Sequence, residues 1–320
     1  MSEFELINQY FKSTAVQRDD VLLGIGDDCA ILSPPPGTHL AVSTDTLISG
    51  VHFPVDTSAY HIGYKSLAVN LSDLAAMGAE PAWASLAIAL PELDEYWVSQ
   101  FMMGFNELAE KYNVALIGGD TTKGPLSITV NVTGFVDEHA SLKRSNANEH
   151  DLIYVTGNIG DARMGLDILF NSEDNQISDH QLYFIDKLNK PDPKVEIGKI
   201  LKNFTVSAID ISDGLLADLG HICKASGQGA IINVDKIPLS KHYREYSNNK
   251  PNWQMVLNAG DDYELCFTCS FVEKDVLLNR LEEAGVSVYQ IGTITNSSEI
   301  ICYLDGQKLH LSNSSYNHFS

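Results

Sequence analysis

VALIGGDTTKGPLSITVNVTGFVD, residues 114–137, is the stretch on which the fold reading turns. Val114–Ile117 reads as a short apolar strand that delivers Gly118-Gly119-Asp120-Thr121-Thr122. Ser127–Asp137 then alternates cleanly, with Ile128, Val130 and Val132 on one face and Thr129, Asn131 and Thr133 on the other. Working outward toward the N-terminus, Glu95–Tyr112 has the pattern of an amphipathic helix, and Trp83–Leu90 that of a buried strand after Pro81. Ile62–Met77 reads as a helix with Leu67, Leu71 and Leu74 on one face. Asn70 and Asp73, at i and i+3, share a different face. His39–Ser43 is a strand ending at Thr44-Asp45. The resulting order β-α-β-α-β-β is ferredoxin-like rather than a plain dinucleotide-binding unit.

The chain restarts after Lys143–Asn148. Strand signals at Asp151–Thr156, Val206–Ile211, Gly229–Val234, Glu264–Thr268 and Val286–Thr293 alternate with helix signals at Asp161–Phe170, Lys194–Asn203, Leu215–Ser226 and Val272–Ala284. A hairpin over Ile300–Leu311 turns at Asp305-Gly306. Residues 171–192 are polar and read as a surface excursion. The expected architecture is α/β (α+β) in two domains, 1–148 and 149–320, in keeping with a length of 320 residues.

Forty-two acidic residues against 21 basic ones give a formal net charge of −21. Such a surface disfavours nucleic acid and anionic membrane, because affinity for both rests on Lys and Arg. No run of 18 apolar residues and no basic-then-apolar leader is visible, so a cytoplasmic protein is expected. The five cysteines are scattered and odd in number, which argues against a disulfide framework. Cys266-Phe267-Thr268-Cys269 lies in a strand-like run, where i and i+3 face opposite sides, and reads as buried free thiols.

Six aspartate-bearing stretches carry the chemistry: Gly24–Asp28, Ser43–Thr46, Asn70–Asp73, Gly118–Thr122, Asp210–Gly214 and Gly260–Glu264. Each acid stands beside Gly, Ser or Thr. Any one could be an ordinary turn or cap. Gathered together, carboxylates about 4 Å apart repel by roughly 4 kcal/mol at an effective dielectric near 20, so they would need cations, and hard oxygen ligands select Mg²⁺ or Ca²⁺. There is no P-loop, no G-x-S-x-G elbow and no H-E-x-x-H. Metal-assisted phosphoryl transfer suits what remains, since its catalysis is mostly positioning and charge neutralisation.

These stretches, with Glu3–Ile7, Gly50-Val51-His52-Phe53, Asn70–Ala79 and Gly260–Leu265, resemble the thiamine-monophosphate kinase family in order along nearly the whole chain. Some of the same motifs occur in aminoimidazole ribonucleotide synthetase and selenophosphate synthetase. The resemblance implies ATP-dependent phosphorylation of thiamine monophosphate to thiamine diphosphate, by direct transfer. It further implies a homodimer joined through the sheet of an N-terminal ATP-binding domain. By the family pattern, Asp28, Ser43, Thr44, Asp45, Asp73, Asp120, Asp210 and Asp213 would hold several Mg²⁺ ions, with Asp45, Asp73, Asp120 and Asp210 at the catalytic centre. Tyr112, Gly119, Asp120, Arg144 and Ser212 would contact ATP, and His52, Glu264 and Tyr316 would hold thiamine monophosphate. The alternatives are another ATP-using synthetase of this fold, or an acidic metal-binding protein without turnover.

Overall fold

The computed structural model describes residues 3–138, 140–171, 178–204 and 206–311. The chain forms two compact units, Met1–Leu74 with Ala79–His139, and Ala75–Gly78 with Ala140–Ser320.

The first unit begins with α1 (Glu3–Leu6), which runs into a π-helical turn at Ile7–Lys12, and with a two-stranded ribbon of β1 (Val21–Leu23) and β2 (Ile31–Leu32). Then follow β3 (Thr38–Ile48), α2 (Ala59–Ala76), β4 (Glu80–Leu90), α3 (Glu95–Lys111), β5 (Ala115–Lys123) and β6 (Ser127–Asp137). The sheet order is β3-β6-β4-β5, with β4 and β5 parallel and the other pairs antiparallel. β3 and β4 therefore run the same way with β6 between them, the split β-α-β arrangement of ferredoxin-like folds. The second crossover differs, because β4-α3-β5 joins immediate neighbours.

β6 follows its sequence alternation, with Ile128, Val130 and Val132 fully buried. Asp94 caps α3 by accepting from the Tyr96 and Trp97 amides. α2 is buried on nearly every side, so even Lys65, Ser66, Asn70 and Ser72 are enclosed, as in a helix that is central rather than amphipathic. Two glycines set its height against α3. A Cβ on Gly63 would stand 1.9 Å from the Phe101 carbonyl oxygen, and one on Gly104 would stand 1.9 Å from that of Tyr60. The helix backbones touch where neither carries a side chain. At the ribbon, Asp20 accepts from Arg18 at 2.9 and 2.6 Å and from the Trp83 indole at 3.0 Å.

The second unit comprises β7 (Leu152–Thr156), α4 (Asp161–Asn171), α5 (Asp179–Asn189), α6 (Val195–Leu201), β8 (Ala208–Asp210), α7 (Leu215–Ser226) and β9 (Gly229–Asn233). α8 (Lys241–Tyr246), α9 (Trp253–Asn258), β10 (Leu265–Cys269), α10 (Lys274–Glu283), β11 (Val288–Thr295), β12 (Ile300–Leu304) and β13 (Gln307–Lys308) complete it. Its seven strands lie in the order β13-β12-β9-β11-β7-β10-β8, antiparallel throughout except for β12 beside β9. Ile153, Val155, Ile209, Leu215, Leu219 and Ile232 lie at its core.

α5 falls where the sequence reading expects a polar excursion. Ser178 accepts from the Gln181 amide while the Gln181 side chain accepts from the Ser178 amide, a capping box, and Phe184 and Leu188 one turn apart are buried. The Ser178-x-x-Gln181 signal was present within the polar stretch. Cys266 and Cys269 are buried free thiols, and Cys29 is exposed. Among the described residues, no helix is long and apolar enough to cross a membrane.

Candidate active site

In the first unit, β3 and α2 bring Ser43, Asp45, Asn70 and Asp73 together. The Asn70 side-chain oxygen accepts the Asp45 amide at 3.1 Å, and its amide group donates to the Ser66 carbonyl at 3.0 Å, which fixes its orientation. The Ser43 hydroxyl donates to the Asp73 carboxylate. Burial, reinforced by the Asp73 charge, pushes the Asp45 carboxyl up to about 6. A half-buried acid beside a second acid is the setting in which a bound cation relieves both desolvation and repulsion. Thr44 is not in this group. Strand side chains alternate, and the Thr44 hydroxyl lies on the other face, where it accepts from Asn131 at 2.6 Å.

Gly119 and Asp120 lie on β5, at the opposite edge of the sheet. The pairings Asp45↔Val130, Leu86↔Val130 and Leu86↔Gly119 place Asp45 and Gly119 in one row across it. Three strand spacings separate the two edges, about 14 Å. A register shift in the β4–β5 pairing leaves Ile117 unpaired just before Gly118-Gly119, a bulge of the kind that re-aims a strand end. Gly119 has φ +152°, and a Cβ there would come 1.8 Å from the Leu86 carbonyl oxygen. Only glycine fits. A cavity of about 770 Å³ opens here, lined by Lys12, Gly26, Asp28, Ser85, Gly119 and Asp120 among others. Asp28 and Asp120 thus share one cavity, with a lysine in its wall. Tyr112 is not among its lining residues; it caps α3, with the Lys111 ammonium 4.9 Å from its ring centroid. His52 turns back on the end of β3, its Nδ1 accepting the Ile48 amide at 3.0 Å, so the ring proton sits on Nε2.

In the second unit, the Asp210–Gly214 and Gly260–Glu264 stretches lie side by side. The Ile211 amide donates to the Glu264 carbonyl at 2.7 Å, the Tyr263 amide to Ile211 at 2.9 Å, and the Asp261 amide to Ser212 at 2.9 Å. A Cβ on Gly260 would stand 1.9 Å from the Ser212 carbonyl oxygen. Asp210 is buried at the end of β8. Sequence reasoning missed Asp218. One of its oxygens accepts the amides of Ser212, Asp213 and Gly214 at 3.0, 3.0 and 3.1 Å, which shapes the loop. Burial pushes its carboxyl up to about 7 against those three donors. The only signal was an acid one turn inside a helix that opens on Gly214.

Asp262 spans the start of α4, accepting from the Gly160 amide at 2.7 Å and the Ala162 amide at 3.3 Å. Loss of water raises its carboxyl well above the carboxylate range. Glu264 accepts the Thr156 hydroxyl at 2.6 Å and meets Lys194 at 3.3 Å. Burial raises the Glu264 carboxyl, and Lys194 draws it back. A Cβ on Gly157 would run into this carboxylate at 2.1 Å, which explains the glycine. Lys194 and Thr156 were also missed, because neither stands near an aspartate stretch. Arg144 is exposed, and its carbonyl accepts from Ser226 at 3.1 Å. Tyr316 lies outside the described residues. Among the described residues, no three His, Cys, Asp or Glu side chains are gathered to hold a metal.

Family models place the chain in a class. The AIR synthase related protein N-terminal domain matches residues 26–136 and its C-terminal domain residues 148–305. The chain is 44% identical over 319 residues to the thiamine-monophosphate kinase of Escherichia coli (strain K12), covering 99% of this chain and 98% of that protein. The crystal structure of thiamine-monophosphate kinase from Stenotrophomonas maltophilia K279a matches with TM-score 0.87 at 43% identity, over 97% of this chain and 98% of that one. AaThiL complexed with AMPPCP and TMP matches with TM-score 0.78 at 28% identity, over 99% and 97%. The chain belongs to the thiamine-monophosphate kinase family.

Proposed function

We propose that this protein transfers the γ-phosphoryl group of ATP to thiamine monophosphate, forming thiamine diphosphate and ADP. The observation that carries this reading is the Ser43–Asp45–Asn70–Asp73 group, a constellation of hard oxygen donors, on a chain of this family. With TMP read as thiamine monophosphate, the AMPPCP and TMP complex of a relative supports the same pair of substrates. A terminal phosphate oxygen of thiamine monophosphate attacks the γ-phosphorus, and ADP departs.

Mg²⁺ fits the hard oxygen donors, and a bound cation would relieve the burial and the Asp73 charge that push the Asp45 carboxyl up to about 6. When bound, Mg²⁺ would neutralise charge on the polyphosphate. Ser43, Asp45 and Asp73 would hold it at one sheet edge, and Asp28 and Asp120 at the other. Asp210 and Asp213, and Thr44 through its backbone, complete the assigned set. Acids spread over two edges suit several ions along an extended polyphosphate. Gly119, Arg144, Ser212 and Tyr112 are assigned to ATP, and His52, Glu264 and Tyr316 to thiamine monophosphate. A cytoplasmic homodimer, joined through the first unit's sheet, is part of the same reading.

Incubation with ATP, Mg²⁺ and thiamine monophosphate, followed by product identification, is the direct test. Thiamine diphosphate and ADP in equal amounts are expected. ATP consumption without thiamine diphosphate would point instead to another acceptor.

A further inference from the structure

Lys194 closes Pro191-Asp192-Pro193-Lys194, where two prolines fix the backbone on either side of Asp192 just before α6 begins. Its ammonium stands 3.3 Å from Glu264 Oε1 and 3.2 Å from Asp192 Oδ2. Only 16% of the Lys194 side chain and 13% of Glu264 remain exposed, so this pair is far better shielded than an ordinary surface ion pair. The other Glu264 oxygen takes the Thr156 hydroxyl. Lys187 on α5 adds positive charge toward Glu264, and Asp262 on its own loop adds negative charge. A carboxylate has about four lone-pair sites. Lys194 and Thr156 use two, so acceptor capacity remains, while Lys194, shared with Asp192, and Lys187 already set positive charge against the carboxylate.

Resting on the assignment of Glu264 to thiamine monophosphate, we propose that Lys194 is a positioning residue that determines specificity. It sets a cation against Glu264, so that this carboxylate selects the ring amine of the pyrimidine as a hydrogen-bond donor and not the thiazolium ring as a cation. A bare carboxylate attracts any cation, whereas a paired and oriented one rewards a donor in the right place. Lys194 also holds Glu264 in the rotamer that the Gly157 backbone leaves open.

The test uses the full-length protein with ATP, Mg²⁺ and three acceptors. These are thiamine monophosphate, its 4′-oxo analogue lacking the ring amine, and an analogue with an uncharged ring in place of thiazolium. The wild type is expected to lose about 100-fold or more in kcat/KM on the oxo analogue, as sites built to receive a donor do. On the uncharged-ring analogue it should lose less than about threefold, since little binding rests on that charge. Lys194→Met should raise KM for thiamine monophosphate about 10-fold, with kcat within about threefold, and Lys194→Arg should return KM to within about threefold of wild type. A wild-type preference above about 10-fold for the charged ring, with the oxo analogue tolerated, overturns the proposal. So does an unchanged KM in Lys194→Met while Glu264→Gln raises KM, an outcome that leaves the substrate assignment standing. An unchanged KM in Glu264→Gln removes that assignment itself. Should Lys194→Met fail to fold, Lys194→Arg and the two analogues on wild-type enzyme decide the matter.

Discussion

The acids of the two units differ in what answers their charge. In the second unit Asp218 and Asp262 are each met by protein donors: three loop amides, and two amides at the start of α4. In the first unit Asp45 has another carboxylate for a neighbour, and burial with that charge pushes it up to about 6. One set shapes loops, whereas the other is a place where an external cation would lower the energy. Aspartates that look alike in sequence thus divide into those answered by protein donors and those, such as Asp45, that face another acid.

The hardest blow to this contrast comes from Asp45→Asn. On the proposed assignment it removes a metal-binding charge, so kcat/KM should fall by about 10³-fold or more while the fold survives. Activity assays beside a thermal melt check it, and a folded variant with near-normal turnover would break the division. Asp218→Ala should act on stability instead. It strands three amides, at a cost of about 3 kcal/mol, and Asp218→Asn should recover about half of that. Denaturant midpoints measure both, and a loss confined to turnover would move Asp218 into the chemical set.

Asp20 offers a pH-dependent contrast. The Arg18 hydrogen bonds hold its carboxyl below the ordinary 3.8. Its stabilisation is therefore present above 3.8 and disappears as pH falls through the lower folded value. Asp20→Asn should lose about 1 kcal/mol at pH 7, a figure kept small by solvent screening, and the gap to wild type should close in strong acid. Urea melts at several pH values check this. Smallest of all is Thr44→Val. With the hydroxyl on the far face of β3, turnover should fall by less than about threefold. A loss near that of Asp45→Asn would mean that the hydroxyl itself reaches the metal.

Much of the scaffold was legible. Ser127–Asp137 and Leu215–Ser226 have the bounds their periodicity indicates, since each buries one face. The i, i+3 relation of Asn70 and Asp73 correctly set both on one side of α2, where they reach Asp45 and Ser43. Less visible were relations that exist only in three dimensions. Glu264 and Lys194 lie 70 positions apart, and Asp218 has the sequence setting of any acid near a helix start. The family pattern groups Thr44 with Ser43 and Asp45, while strand alternation sets its side chain apart. The helix α5 was hidden because polar residues outnumber its two buried anchors, Phe184 and Leu188.

The bare contact of Gly63 on Phe101 and Gly104 on Tyr60 has a consequence for tolerance to change. With the two helices locked backbone to backbone, α2 cannot creep along its axis to absorb a substitution elsewhere. One residue of slippage is about 1.5 Å, enough to carry Asp73 out of reach of Ser43. Alanine at either glycine would therefore damage the kinase from a distance, as a wrongly cut spacer ruins an instrument whose working parts are sound.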